Sequence, residues 1–385
     1  MDKPDIRALT GLRGVAALLV TLYHFYPPGE MAPGMLHDGL GRGYLWVDLF
    51  FILSGFVIAL NYGHLFAGGF SRQSLGTFLL RRVARLYPLY LAILGARVLY
   101  TLLSYGNFAP PGDFASVIVG DPARDLTANL FLVQAWGLST SIVGTAWSIS
   151  TELAVYLLFP LLAAVTLFQG WRPALAAGLA AAALIGAVAI LNAHDGAYHS
   201  GPLDAYDGTK WAPLLRCLGG FILGLLAFRL GRSRAIAAFM GRNWVSLALT
   251  LALAAMFLAG AHDLAIVALF PAFVLALARN NGWPAALFSG RVILRLGVLS
   301  YAIYLLHPLL ETPHKDLLAL LAQHQVPLVV AHGVAGVTVA FVLFAASTAA
   351  YEWVERPGRR LVRALERKPA RPRDEKGGAR FRGAP

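Results

Sequence analysis

A single cysteine, Cys217, stands among 385 residues, so the chain can form neither an intramolecular disulfide nor a cysteine-ligated zinc cluster. One thiol also leaves the redox compartment unreadable. Charge is scarce as well: 14% of residues are charged, against about a quarter in a soluble domain. Acidic residues are the scarcer kind, 20 against 32 Lys and Arg, which leaves a net charge of +12. Hydrophobic residues reach 58% and the mean hydropathy is +0.63, a balance that belongs in lipid. No internal repeat is visible, and no segment is polar enough for a second soluble domain. A cleaved leader is not expected: the apolar stretch after Lys3 and Arg7 contains Arg13 and His24, and no small-residue cleavage site follows.

Crossing the hydrocarbon takes roughly 20 apolar residues. Ten stretches qualify: 9–26, 44–62, 85–103, 147–168, 173–191, 213–230, 245–260, 263–279, 293–310 and 328–353. The expected fold is therefore an all-α integral membrane bundle of about ten transmembrane helices. Residues 1–363 form the polytopic domain, and 364–385 a basic tail expected to be disordered. The seventh and eighth stretches are separated only by Ala261 and His262, and 126–136 is short enough to be a surface or re-entrant helix. The long outer segment 104–146 is a candidate lid.

With a cytoplasmic N-terminus, 25 of the 32 Lys and Arg fall on the cytoplasmic side, eleven of them between Arg356 and Arg382. Four lie in outer loops (Arg42, Arg124, Lys210, Lys315) and three within spans (Arg13, Arg97, Arg216). This bias fits the positive-inside rule with both termini cytoplasmic, in a multi-pass protein of the cell (inner) membrane. A basic tail beside a membrane sets topology or meets anionic lipid, so membrane lipid is an expected partner and nucleic acid is not.

Ionisable residues within spans are costly and raise functional hypotheses. In GLRGVAALLVTLYHF, Arg13 and His24 are eleven residues apart, which puts them on one face and roughly 16 Å apart along the axis. Read singly, Arg13 snorkels to an interface and His24 is a helix-end histidine; the shared face favours function. In LWVDLFFILSGF, Asp48 is expected level with His24, able to orient its ring, and Ser54-Gly55 permit close approach of a helix or ligand. Arg82 and Arg85, three apart in LLRRVARLYP, suit a phosphate clamp, although topology-setting arginines look the same. Glu152 in TAWSISTELAVYLLFP is expected level with His24. Ser300, Tyr304 and His307 in LGVLSYAIYLLHP make one polar stripe, which helix–helix bonding also explains. Histidines and carboxylates at one membrane face and paired cations at the other fit a long donor with a phosphorylated head, the shape of coenzyme A. No metal-ligand set is expected.

Six motifs in this order resemble the membrane-bound acyltransferase family 3, whose members O-acylate sugars and related acceptors. They are GLRG with its histidine eleven after the arginine, VDLFFILSGF (47–56), RRVARLYP (81–88), WSISTELAVYLLFP (147–160), LSYAIYLLHP (299–308) and YEWVERP (351–357). The resemblance implies acyl-CoA, as donor substrate rather than bound cofactor, entering from the cytoplasm. It also implies transfer of an acyl group, acetyl by family precedent, to a carbohydrate or glycosylated acceptor. Arg13 and His24 match the family's Arg-to-His motif, and Arg82 and Arg85 its Arg-x-x-Arg motif. The expected catalytic group is His24, Asp48 and Glu152, with His24 either a general base or an acyl-accepting nucleophile. Arg13, Arg82 and Arg85 would hold the donor; Arg97, Ser300, Tyr304 and His307 would line the acceptor side. Thr10 departs from the acidic residue common before Gly-Leu-Arg, and a threonine can still cap a helix start. Many relatives carry an outer hydrolase-like domain; none is expected here, so a separate extracytoplasmic transferase is a possible partner. The main alternative is a secondary transporter of an anionic or proton-coupled solute, and a non-catalytic scaffold is a third class. Neither repeated halves nor paired broken helices support transport.

Overall fold

The computed structural model describes residues 6–26, 35–104, 121–195 and 200–365. Lys3, residues 105–120 of the candidate lid and nearly all of the basic tail lie outside them. The described residues are helical, with no strand among them. In chain order the helices are α1 (Ile6–Phe25), α2 (Met35–Gly41), α3 (Trp46–Tyr62), α4 (Arg72–Ser104), α5 (Pro122–Leu130), α6 (Ala146–Ala163), α7 (Trp171–Asp195) and α8 (Ala212–Leu230). They continue with α9 (Arg234–Met240), α10 (Asn243–Leu258), α11 (Asp263–Arg279), α12 (Trp283–Phe288), α13 (Arg291–Leu306), α14 (Glu311–Gln323), α15 (Leu328–Ala350) and α16 (Arg356–Ala364).

All ten expected stretches are helical. Among the described residues, eight helical segments are long and apolar enough to cross a membrane, or nine if α9 and α10, bent by 64°, form one span. α11 has 17 residues, about 25 Å of rise against roughly 30 Å of hydrocarbon. The turn before it is tight, with Gly260 at a φ of +63°. The count by length is thus about eight rather than ten. α4 begins 13 residues before the expected span and runs through Pro88. Thr10 lies inside α1, which starts at Ile6, so the expected cap is corrected: Thr10 packs on Gly297 instead.

α3 is the central helix, with 72% of its segment buried, whereas the segments of α7 and α15 are only 28% and 22% buried and show apolar faces outward. Two close approaches position the site. A side chain at Gly14 or Gly297 would strike the opposing backbone, so these glycines let α1 and α13 pack directly against one another. Gly55 meets the Phe221 carbonyl on α8, and Gly224 meets Ile52, which bears out close approach at Ser54-Gly55. Residues 121–145 tuck over the start of α6. Asp121 caps α5 by accepting from the Arg124 amide at 3.1 Å, and the buried Asn129 accepts from the Ile142 amide at 2.9 Å. The expected short helix at 126–136 is the nine-residue α5 followed by turns.

Candidate active site

The α1–α13 contact brings His24 and His307 together, with ring centroids 4.8 Å apart. Each imidazole bonds through Nδ1 to the carbonyl four residues earlier, His24 to Val20 at 2.9 Å and His307 to Ile303 at 3.2 Å. A carbonyl oxygen only accepts, so both protons sit on Nδ1 and both Nε2 atoms keep a lone pair. His307 is fully buried, and its Nε2 has no hydrogen-bond partner among the described residues. Glu311, at the start of α14, brings a carboxylate to the pair: its oxygen and the two ring nitrogens lie within 4.8 Å of one another. His314 is buried against Phe25 and Tyr26, with ring centroids 5.2 and 5.3 Å away. Tyr23 stands edge-on to His24 and donates to Asp204 at 3.2 Å.

Asp48 does not orient His24. Its carboxylate is fully buried and is claimed by Arg216 through two hydrogen bonds of 2.6 and 2.9 Å. Arg216, 1% exposed, also donates to the Tyr44 carbonyl at 2.9 Å. A guanidinium this deep needs a bidentate anion, and Asp48, one helix away on the closely packed α3–α8 pair, supplies it. Glu152 is also displaced from the expected level. Trp136 Nε1 donates to the Ser150 carbonyl at 2.9 Å and the Ala135 amide to Ser150 Oγ at 3.1 Å, so the first turns of α6 are buried. Glu152 lies deeper, where it accepts from Tyr156 at 3.0 Å.

That bond joins Glu152 to the arginine group. Arg82 donates to Tyr62 at 2.9 Å, lies 4.9 Å from that ring and 5.9 Å from the ring of Tyr156, and its buried Nε has no acceptor among the described residues. Arg13 lies in the field of Arg85, Glu152 and Glu355. Glu355, 1% exposed, sits 3.5 Å from Arg359 of α16. The π-helical turn Tyr351–Glu355 carries it, and such turns recur at functional sites. The structure therefore brings Arg13, Arg82 and Arg85 into one group, with Glu152 and Glu355 as their anions.

Among the expected acceptor-side residues, His307 joins His24. Tyr304, with its ring 5.9 Å from that of His307, is tied to Ser148 at 2.8 Å. Ser300 bonds back to the Gly297 carbonyl of its own helix at 2.9 Å. Arg97 sits on α4 about 18 Å of helix rise beyond Arg85. Its neighbours Leu94, Gly95 and Val98 line an apolar groove with Leu126 and Leu130 of α5. Sequence reading assigned no role to Arg216, Glu311 or Glu355. A signal existed for each: a lone intramembrane arginine demands a partner, Glu311 continues the stripe of Tyr304 and His307, and Glu355 lies within a quoted motif.

A polytopic helical bundle with a histidine pair at one end and caged arginines at the other is the frame of an integral membrane transferase. The family model described as an acyltransferase domain, of the acyltransferase 3 family, matches residues 6–346, and the chain belongs to that family. It is 31% identical over 323 residues to the acyltransferase MdmB of Streptomyces mycarofaciens, covering 78% of this chain and 77% of that protein. It is 25% identical over 330 residues to the O-acetyltransferase OatA of Staphylococcus aureus, covering 78% of this chain but only 49% of OatA. Protein 2 of the picA locus of Rhizobium radiobacter matches at 36% over 163 residues, 38% of this chain and 76% of that protein. No solved structure matches.

Proposed function

We propose that the protein moves an acyl group, acetyl foremost, from cytoplasmic acyl-CoA to a hydroxyl of a glycan, lipid-linked sugar or other glycosylated acceptor. The observation that carries this is the pairing of His24 with His307 at one end of α1 while Arg13, three turns back along the same helix, lies in the field of Arg85, Glu152 and Glu355. The positive-inside bias puts the arginine end in the cytoplasm and the histidine end at the outer face of the cell membrane, with ten spans if α10 and α11 both cross. Arg82 and Arg85 hold the donor's phosphates, and the unpartnered Arg82 Nε is a donor that a phosphate oxygen would satisfy.

His24 acts as general base through Nε2. It takes the acceptor hydroxyl's proton as the oxygen attacks the thioester carbonyl; the C–O bond forms, the C–S bond breaks, and the leaving thiolate takes a proton from the imidazolium. The Val20 carbonyl, rather than Asp48, holds the ring and its tautomer. A base of this kind supplies roughly 10²–10⁴-fold in rate. The test is thiol release from radiolabelled acetyl-CoA in membranes bearing wild-type or His24→Ala protein. We expect release to fall by about that factor while acyl-CoA binding stays near wild type. Wild-type turnover in His24→Ala would remove the assignment, and release from no acyl-CoA donor would bring the transporter reading forward.

A further inference from the structure

Acyl transfer as described uses one imidazole lone pair, yet three donors converge on the same point. His24, His307 and Glu311 each offer an atom, all within 4.8 Å of one another. Two imidazoles and a carboxylate are a zinc donor set. Metal-binding histidines characteristically donate the other ring N–H to a carbonyl or carboxylate, and both histidines here donate Nδ1–H to a backbone carbonyl. An independent sign is the His307 Nε2, fully buried and without a partner among the described residues, whose ring faces His24. Zinc bonds of about 2.0–2.2 Å put tetrahedral donors roughly 3.3 Å apart. Closure from the present spacing asks about an ångström or more, and the Glu311 side chain is flexible enough to provide much of it. His24 and Glu311 are only half-buried, so an ion has a way in.

We propose that His24 Nε2, His307 Nε2 and a Glu311 carboxylate oxygen form a Zn2+ site at this end of the bundle, and that filling it silences acyl transfer by taking the lone pair His24 needs. The second clause rests on the function proposed above; the first does not. Chelator-stripped, detergent-purified full-length protein is titrated with Zn2+ by calorimetry, with thermal unfolding as the check that each variant is folded. One ion per chain is expected. Outer-sphere partners of a zinc site are worth about 10–100-fold in affinity, so loss of a ligand in Glu311→Gln or His307→Ala should weaken binding by at least about tenfold. His64→Ala, an exposed histidine remote from the pair, should change nothing. Absence of binding, or binding unaffected by both ligand substitutions, overturns the site.

Thiol release is then followed with and without Zn2+. Loss on metal addition with recovery on chelation supports silencing; unchanged turnover, or turnover that needs the metal, overturns it. A chain that binds Zn2+ with the expected residue dependence but releases no thiol from any donor would leave the site standing and defeat the acyl-CoA reading instead.

Discussion

At the scale of single residues, the most consequential contact is one that an alignment of depths along the membrane does not foresee. Asp48 and His24 were expected at the same level, but level is not neighbourhood: Asp48 turns to Arg216, and both are about 1% exposed or less. Breaking a buried ion pair from one side strands a charge and costs about 3–5 kcal/mol. Asp48→Asn and Arg216→Leu should each lower stability by about that amount, read as loss of resistance to denaturant in detergent. A role for Asp48 in holding His24 would show instead as lost turnover with stability intact. At the other end, Arg82 and Arg85 differ in setting. Arg85→Ala should raise KM for acyl-CoA with a smaller effect on kcat. Arg82→Lys should fail to restore donor binding, because an ammonium cannot reproduce the planar fork that meets Tyr62 and, in the function proposed above, would meet a phosphate. Equal KM values in wild type and both variants would take the donor head elsewhere.

At the scale of helices, the site depends on how closely α1 and α13 pack. Gly14 closes the first motif and Gly297 lies two residues before the fifth, so two sequence features that look independent act as one joint. Gly297→Val would push its branched side chain into the Thr10 backbone. Overpacking of this kind costs about 1–3 kcal/mol, and the displacement should separate His24 from His307. We expect acyl transfer to fall at least about tenfold while the chain still folds, since a small misplacement of reacting groups has effects on that order. Thiol release beside thermal unfolding checks this; full activity in a folded Gly297→Val chain would show that the two helices need no such contact. The stripe from Tyr304 through His307 to Glu311 was half visible in sequence. The expected span ended at Leu310, but a 3-10 turn, His307–Leu310, carries the chain into α14 and keeps Glu311 at the pair.

At the scale of the whole molecule, orientation sets both the donor's origin and the acceptor's address. Cys217 is buried and free, so it should stay silent to a membrane-impermeant maleimide in intact cells. Thr209→Cys and Arg234→Cys place new thiols on exposed residues at opposite ends of α8. Labelling of Thr209→Cys but not Arg234→Cys from outside is expected. The reverse pattern would invert the bundle and put the histidine pair in the cytoplasm.

Composition and hydrophobic pattern by themselves determined the solvent of this protein, its helical class and the places where helices run, because lipid forces every backbone group to be satisfied within its own helix. The ordered motifs determined the family, and single intramembrane ions marked candidate site residues. Which ion meets which was decided only by tertiary structure. A helical sequence fixes depth and face for each residue, whereas neighbours across a bundle depend on which glycines let two backbones touch. That is why His24 found His307 and Glu311 while Asp48 went to Arg216. The 64° bend between α9 and α10 and the turn at Gly260 belong to the tertiary structure too, since neither is written in the hydrophobic pattern.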